Sequence, residues 1–182
     1  GTLYLIDNDI VQPSNCNRQL VALSSTVGSK KAEVMAARVR DINPAINAVA
    51  IDRFYDEASS DEIFAHKFDF VIDAIDSLRS KESLILNCAG REIEIISSMG
   101  AGNKLYPERF AVMDLFRTTC DPIAKRLRKR LRDAGIKRLR VVCSDELPRK
   151  TGLSESGKNA PASISFVPSV CGLLMAGAAI RY

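Results

Sequence analysis

The sequence predicts a doubly wound α/β fold, in which helices flank a mostly parallel sheet. Short apolar runs rich in β-branched residues alternate along the chain with amphipathic stretches of helical period. The apolar runs are nearly continuous, which is typical of parallel strands covered on both faces. With 182 residues, 46% of them hydrophobic, the chain is also long enough for one domain with a sizeable core.

The first half of the chain supplies a strand, a polar loop, a helix and further strands. A short apolar run at 3–6 predicts a strand that stops at Asp7. Residues 27–42 predict a helix that ends before Pro44, because four apolar side chains recur there at helical spacing: Val34, Met35, Val39 and Ile42. Next we expect two strands, a helix that stops before Gly90 and a third strand, at 46–54, 68–75, 80–89 and 93–97.

The second half continues the alternation and is expected to add a few antiparallel strands. Strands are predicted at 109–114 and 139–143. Between them Asp121 is the expected N-cap of a helix with proline in its first turn, and the apolar face of this helix carries Ile123, Leu127 and Leu131. Residues 145–162, rich in Pro, Ser, Gly and Lys, predict a surface loop, and 167–182 predict a closing helix of small apolar residues.

Cysteine spacing and the lengths of the apolar runs indicate the compartment. The five cysteines stand singly with no Cys-x-x-Cys pair, so the sequence predicts neither a disulfide framework nor a zinc site and fits a reducing cytosol. The longest apolar run, 170–180, is about half of the roughly 20 residues that a membrane-spanning helix needs. We therefore expect a cytoplasmic protein without a transmembrane segment.

Acids follow two of the predicted strands at their carboxyl ends. Asp7 ends the first strand, and Asp73 and Asp76 flank the end of the strand at 68–75. Ligands of open parallel sheets bind beyond these ends, where a carboxylate commonly accepts hydrogen bonds from a ribose hydroxyl. The alternatives are turn and capping roles for Asp7 and Asp9, and an N-cap of the next helix at Asp76 and Ser77.

Cationic and amide side chains follow the first strand in the same segment. Arginine provides a rigid fork and lysine a compact charge, which together suit a polyphosphate. A carboxylate at a neighbouring strand end suits the magnesium ion that accompanies one. The pattern therefore predicts a nucleoside triphosphate site, whose candidates in this segment are Asn15, Arg18, Gln19 and Lys31.

A basic segment at 125–140 holds nine basic residues and one acid. It carries a charge of +8, so the rest of the chain carries −4. Such a patch neutralises the phosphates of a nucleic acid, although a solvated amphipathic helix is the alternative. The candidate nucleic-acid contacts are Lys125, Arg126, Arg128, Lys129, Arg130 and Arg132.

Four motifs occur in a fixed order in the first half: "LIDNDIVQPSNCNRQ", "VGSKKAEV", "INP" and "VIDAIDS". In this order and spacing they resemble the ubiquitin-activating-enzyme superfamily, whose bacterial ThiF-like members adenylate a carboxylate with ATP and Mg²⁺. The resemblance implies a single Rossmann-like adenylating domain over 1–182. It also implies that Asp7 holds the ribose, that Asn15, Arg18 and Lys31 hold the phosphates and that Asp76 holds the metal, with Asp9, Gln19 and Ser77 beside them. Arg18, Lys31 and Asp76 would then be the catalytic residues.

The remainder of the chain resembles the tRNA threonylcarbamoyladenosine dehydratase branch of that superfamily. The supporting stretches are "SSMGAGNKLYPERFAVMDLFRTTCDPIAKRLRKRL", "RVVCSDELPRK" and "SISFVPSVCGLLMAGAAIR". This implies ATP-dependent cyclisation of a modified adenosine in tRNA, with tRNA as a partner. It also implies a homodimer, a sulfur-transfer or sulfur-carrier protein as a further partner and a monovalent cation as a further candidate cofactor.

Two alternatives to this function stay open. The sequence also differs from the family's pattern in one respect. One alternative is an enzyme that activates the C-terminus of a ubiquitin-like sulfur carrier, and the other is a non-catalytic subunit. The family's glycine-rich phosphate loop precedes the strand at 3–6, so we expect an N-terminally truncated sequence that is inactive alone. Cys143 is a candidate thioester nucleophile but is more typical of a small core residue, and His66 is assigned no catalysis.

Overall fold

The computed structural model of the chain describes residues 1–150 and 162–182. The chain forms two compact units, Gly1–Ala65 and His66–Tyr182, and each is treated by itself below. Both units alternate strands with helices, so the predicted α/β class is confirmed. The single adenylating domain over 1–182 stays a prediction.

The first unit is built on a two-stranded parallel sheet covered by a helix. Strand β1 pairs in parallel with β2, so that Thr2 lies opposite Asn47 and Ile6 opposite Ile51. The connecting helix α1 buries Ala32 and Ala36, whose small side chains allow it to lie close to its neighbours. The elements of this unit are β1 (Thr2–Ile6), α1 (Lys31–Ile42), β2 (Asn47–Ile51) and the short α2 (Ser60–Phe64).

The prediction of a helix from residue 27 was wrong, because α1 begins at Lys31. Gly28 has φ 89°, in the left-handed region that glycine adopts readily. Gly28 and the two residues after it pair with an earlier loop: Gly28 N donates to Val11 O at 2.9 Å, Val11 N donates to Ser29 O at 2.8 Å, and Ile10 forms an antiparallel bridge with Lys30. This pairing excludes residues 28–30 from the helix. The single-turn helix α2 was not predicted, because five residues are too few to show helical periodicity.

The second unit contains a four-stranded sheet in the order β3-β4-β6-β5. Strands β3, β4 and β6 run parallel, and β5 pairs antiparallel with β6, as expected for this half of the chain. Each predicted element is present, with its ends shifted by at most two residues. The elements are β3 (Phe70–Asp73), α3 (Leu78–Gly90), β4 (Glu94–Ser98), β5 (Phe110–Asp114), α4 (Pro122–Asp133), β6 (Arg140–Ser144) and α5 (Phe166–Ile180).

Helices lie on both faces of this sheet, which confirms the doubly wound arrangement. Helix α5 packs its buried side chains against Ile96 of β4 and Val142 of β6. Successive side chains of a strand point to opposite faces, so Ser97 points away from α5. Its hydroxyl contacts Lys81 of α3, which places α3 on the other face.

Helix α4 begins as the sequence predicts. The Asp121 side chain caps it by accepting hydrogen bonds from Ile123 N at 2.9 Å and Ala124 N at 3.0 Å. Leu127 and Leu131 are buried as expected, but Ala124 completes the apolar face and Ile123 is only half-buried.

The predicted loop at 145–162 lies largely outside the described residues, since 151–161 are not described. Its described part, 145–150, contains no helix or strand. Among the helices of the described ranges, none has both the length and the apolar character needed to cross a bilayer.

Candidate functional site

Asp7, Asp9 and Lys31 meet at the carboxyl end of β1. Asp7 N donates to Ile51 O at 3.2 Å where the parallel pair ends, and the Asp7 carboxylate accepts from Asp9 N at 2.8 Å. Lys31 Nζ lies 2.6 Å from Asp9 Oδ2, with the lysine side chain 12% exposed and the aspartate 64% exposed. The paired loops described above bring this lysine to the strand end. A phosphate bound here would compete with Asp9 for the ammonium group.

Asn15, Arg18 and Gln19 form a second group on the loop after β1. The side-chain oxygen of the buried Asn15 accepts a hydrogen bond from Gln12 N at 3.0 Å. The backbone carbonyl of Asn15 accepts from Arg18 N and Gln19 N at 3.1 and 2.9 Å. Asn15 thus fixes the loop that carries Arg18.

The Arg18 guanidinium uses Nη1 to donate to Ser14 O at 3.0 Å and to Asn17 Oδ1 at 2.8 Å. A guanidinium has five donors in a planar fork, so its other nitrogens can still bind phosphate. Among the described residues, the hydrogen bonds of Arg18 and Lys31 do not join the two groups to each other.

Asp76 is the available acid at the end of β3. It is exposed, and its carboxylate makes no hydrogen bond or ion pair with the described residues. The Ser77 side chain caps α3 by accepting a hydrogen bond from Ser80 N at 3.4 Å, as the N-cap alternative expects for this residue. A role of Ser77 beside a nucleotide stays a prediction.

The surroundings of Asp76 limit the way in which a magnesium ion could bind there. No cluster of three His, Cys, Asp or Glu side chains suited to a metal occurs in the described ranges 1–150 and 162–182. Mg²⁺ is usually held by one or two carboxylates together with substrate phosphates and water. A lone exposed carboxylate therefore fits a metal that arrives with a nucleotide.

Asp73 is buried and does not face solvent, although the sequence placed it beside Asp76 at a strand end. It is 0% exposed and accepts hydrogen bonds from Lys81 Nζ at 2.8 Å and Ser97 Oγ at 2.5 Å. Sequence analysis missed this cluster. A signal was present, because Lys81 stands at helical spacing with the buried Leu84, Ile85 and Cys88.

A second buried ion pair ties the loop after β4 to the start of α4. Lys104 Nζ donates to Gly100 O at 2.6 Å and to Asp121 Oδ2 at 3.0 Å, and both side chains are almost fully buried. Asp121 comes so close to Gly100 that a Cβ there would meet its Oδ2 at 2.9 Å. The sequence indicated the capping role of Asp121 but not its lysine partner.

The structure divides the six basic candidates of α4 into two sets. Arg128 donates to Thr118 O at 2.7 Å, Arg130 pairs with Glu82, and the Arg132 guanidinium lies 5.6 Å from the Phe116 ring centroid. The other three are exposed, and their side chains make no hydrogen bond or ion pair with the described residues: Lys125, Arg126 and Lys129. The helix is amphipathic, as the alternative predicts, and it also presents exposed cations to solvent.

Cys143 is a core residue and not an activated nucleophile. It is 2% exposed, and burial followed by the charge of Asp121 raises the pKa of its thiol to about 11. The thiol therefore stays protonated at neutral pH, where a nucleophilic cysteine needs its thiolate. His66 is exposed and its ring lies 6.3 Å from that of Phe68, in keeping with a surface role.

Alkylation of the native protein by a thiol reagent should begin at Cys16 and spare Cys143. Cys16 is exposed, whereas the Cys143 thiol is buried and its raised pKa leaves little thiolate at neutral pH. Peptide mass spectrometry after timed labelling measures both rates, with denatured protein as the control in which both react. Equal rates in the native protein would contradict the buried, protonated thiol.

Comparison with known proteins gives consistent matches. Residues 1–182 match the ThiF family. The tRNA threonylcarbamoyladenosine dehydratase of Bacillus subtilis (strain 168) is 44% identical over 190 residues, covering 97% of this chain and 75% of the relative. The relative of that name from Escherichia coli (strain K12) is 42% identical over 137 residues, covering 75% of this chain and 51% of the relative.

A solved structure matches along the whole chain. The crystal structure of the E. coli tRNA N6-threonylcarbamoyladenosine dehydratase in complex with ATP has a TM-score of 0.90 and 34% sequence identity, and the match covers 100% of this chain and 74% of that one. The chain thus spans between about half and three quarters of the length of these relatives.

Proposed function

The chain belongs to the ThiF family, and we propose that the intact protein uses ATP to dehydrate N6-threonylcarbamoyladenosine in tRNA. The observation that carries this proposal is the end-to-end similarity to dehydratases of that name, one of them crystallised with ATP. The acids and cations after β1 in the first unit, and Asp76 after β3 in the second, are of the side-chain types that such chemistry needs.

The reaction consists of two displacements. A carboxylate oxygen of the modified base attacks the α-phosphorus of ATP, and the bond to the β-phosphate breaks with loss of pyrophosphate. A nearby amide nitrogen or oxygen of the same base then attacks the acyl carbon of the mixed anhydride, and in either case the amide N–H loses its proton. The bond between the acyl carbon and the oxygen that bridges to phosphorus breaks, and AMP leaves with that oxygen, which came from the carboxylate. The ring closes, with net loss of water.

The side chains of this chain contribute placement and charge stabilisation. In the first unit, Asp7 binds the ribose, while Arg18 and Lys31 neutralise the phosphates as charge develops on the leaving pyrophosphate. Asn15 also contacts the phosphates and orders the loop that carries Arg18, and the remaining neighbours, Asp9 and Gln19, support these groups.

In the second unit, Asp76 holds Mg²⁺, with Ser77 beside it. When bound, this ion offsets the negative charge of the phosphates. A monovalent cation as a further cofactor has no observation of its own and stays a prediction.

The exposed cations of α4 bind tRNA. Replacing Lys125 and Lys129 with alanine should weaken tRNA binding and make the slope of log affinity against log salt shallower by about 1.5 to 2. The reason is that each phosphate contact that is lost lowers the number of counterions released on binding. A filter-binding series across salt concentrations measures the slope. The matched control removes two exposed cations elsewhere, Arg38 and Lys67. An unchanged slope in the α4 variant would remove this face from the tRNA site.

AMP release by the intact protein tests the proposal against its alternatives. We expect ATP to be converted to AMP and pyrophosphate with modified tRNA, and not with a small carrier protein that ends in Gly-Gly. The opposite preference would identify a carrier-activating enzyme, and no AMP with either would identify a non-catalytic subunit. A homodimer, a sulfur-transfer partner and a cytoplasmic location stay predictions.

A further inference from the structure

A fully buried ionic cluster lies beneath the segment that carries Asp76. Asp73 ends β3 and sits opposite Ser97 of β4 in the parallel register. Its Oδ2 accepts from Lys81 Nζ at 2.8 Å and from Ser97 Oγ at 2.5 Å, and Lys81 Nζ also donates to Ser97 Oγ at 3.3 Å. All three side chains are at most 1% exposed. The cluster thus joins two strands and a helix by charge-assisted hydrogen bonds.

The short segment around Asp76 is fixed on one side by this cluster and on the other by the first backbone hydrogen bond of α3. Asp73 uses its other oxygen, Oδ1, to accept from Ile75 N at 3.0 Å, one residue before Asp76. Lys81 N donates to Ser77 O at 2.9 Å, one residue after it. Asp76 is therefore held on one side by the cluster and on the other by the first turn of α3, while its own carboxylate makes no hydrogen bond or ion pair with the described residues.

The charge of Asp73 makes this arrangement depend on Lys81. A buried carboxylate without a partner is strongly disfavoured, so the Asp73 carboxylate turns toward other donors or moves toward water. Either response weakens the hydrogen bond to Ile75 N and releases the segment. Ser97 contributes a shorter hydrogen bond without a charge, so its loss should loosen the segment with less damage to the fold.

We infer that Lys81 and Ser97 are positioning residues, which act through Asp73 to aim the Asp76 carboxylate at the magnesium ion that accompanies ATP. This inference rests on the proposed function, since it assigns Asp76 to Mg²⁺. Groups that orient a metal ligand typically change metal affinity or activity by about 10-fold to 100-fold when they are removed.

Calorimetric titration of the intact protein with ATP, once in EDTA and once in Mg²⁺, provides a readout that is independent of turnover. Asp76 repels the phosphates without Mg²⁺ and binds them through the ion when it is present, so Mg²⁺ should tighten ATP binding. We expect Ser97→Ala to lower this enhancement about 10-fold with little change in EDTA, and Lys81→Met to lower it at least as far.

Two control variants separate positioning from stability. Ser144→Ala removes a buried serine from a neighbouring strand, and Lys104→Met breaks a buried lysine–aspartate pair that does not contact the Asp76 segment. Both should lower the melting temperature about as much as their counterparts, Ser97→Ala and Lys81→Met, but keep the Mg²⁺ enhancement. If Lys81→Met fails to fold, Ser97→Ala and Ser144→Ala decide the question.

Asp76→Asn distinguishes the failure of this inference from the failure of the proposed function. We expect it to abolish the enhancement. If it does and Ser97→Ala keeps the enhancement, the cluster is only structural and the inference is wrong. If Asp76→Asn itself keeps the enhancement, the assignment of Mg²⁺ to Asp76 fails, and the inference fails with it.

Discussion

Replacing Arg18, Lys31 or Asp76 with alanine should reduce AMP formation by the intact enzyme about 100-fold or more. Arg18 and Lys31 stabilise the separating phosphates directly, and Asp76 does so through the magnesium ion that it holds. The protein should remain folded. Removing Lys31 breaks one ion pair to a largely exposed acid, and removing Arg18 breaks two exposed hydrogen bonds. The Asp76 carboxylate has no hydrogen-bond or ion-pair partner to lose among the described residues. Exposed pairs of this kind are worth about 1 kcal/mol or less.

The measurement is AMP released per enzyme with modified tRNA, alongside a thermal melt of each variant. Asp69→Ala is the matched control for Asp76, since it removes an exposed carboxylate before the same strand instead of after it. Turnover of any of the three variants within a few-fold of the parent, at an unchanged melting temperature, would remove that residue from the catalytic set.

Asp121→Ala should destabilise the fold by about 3 to 5 kcal/mol, the usual cost of leaving one partner of a buried ion pair without the other. Among the described residues, the substitution leaves the buried Lys104 ammonium with the Gly100 carbonyl as its hydrogen-bond partner and the Phe110 ring 5.3 Å away. It also removes the N-cap of α4, which by itself contributes about 1 kcal/mol.

Denaturant unfolding with extrapolation to water measures this loss. Asp121→Asn should be intermediate, since its amide oxygen can still cap α4 while the charge that balances Lys104 is gone. Asp133→Ala, at the exposed end of the same helix, should change the free energy of unfolding by no more than about 0.5 kcal/mol. A loss as small as that for Asp121→Ala would show that the buried pair is not a main source of stability.

The sequence predicted most elements of the fold because their signals are local. Asp121 followed by Pro122 marked the start of α4, and apolar runs marked the strands β3, β4 and β6. The start of α1 was predicted four residues too early. Its apolar periodicity continues through Gly28, and only the pairing of that stretch with residues 10–11 ends it. A contact between segments so far apart leaves no local signal.

The candidate site was predictable where a strand ends in an exposed acid, and less so where burial decides the role. Asp73 and Asp76 look alike in the sequence, three residues apart at one strand end, yet one is buried against Lys81 and the other faces solvent. The pairing of Lys104 with Asp121 spans 17 positions and was equally hidden. The six cations of α4 also look alike in the sequence. Only contacts with Thr118, Glu82 and Phe116 distinguish three of them from the other three.

Transfer of a heavy-oxygen label tests the central claim most directly. Modified tRNA that carries the label in the carboxylate of its threonylcarbamoyl group is incubated with the intact enzyme and unlabelled ATP, and the nucleotides are analysed by mass spectrometry. Adenylation followed by ring closure places one labelled oxygen in each AMP released. Unlabelled AMP, or ADP and phosphate as the products, would show that ring closure does not pass through an acyl adenylate.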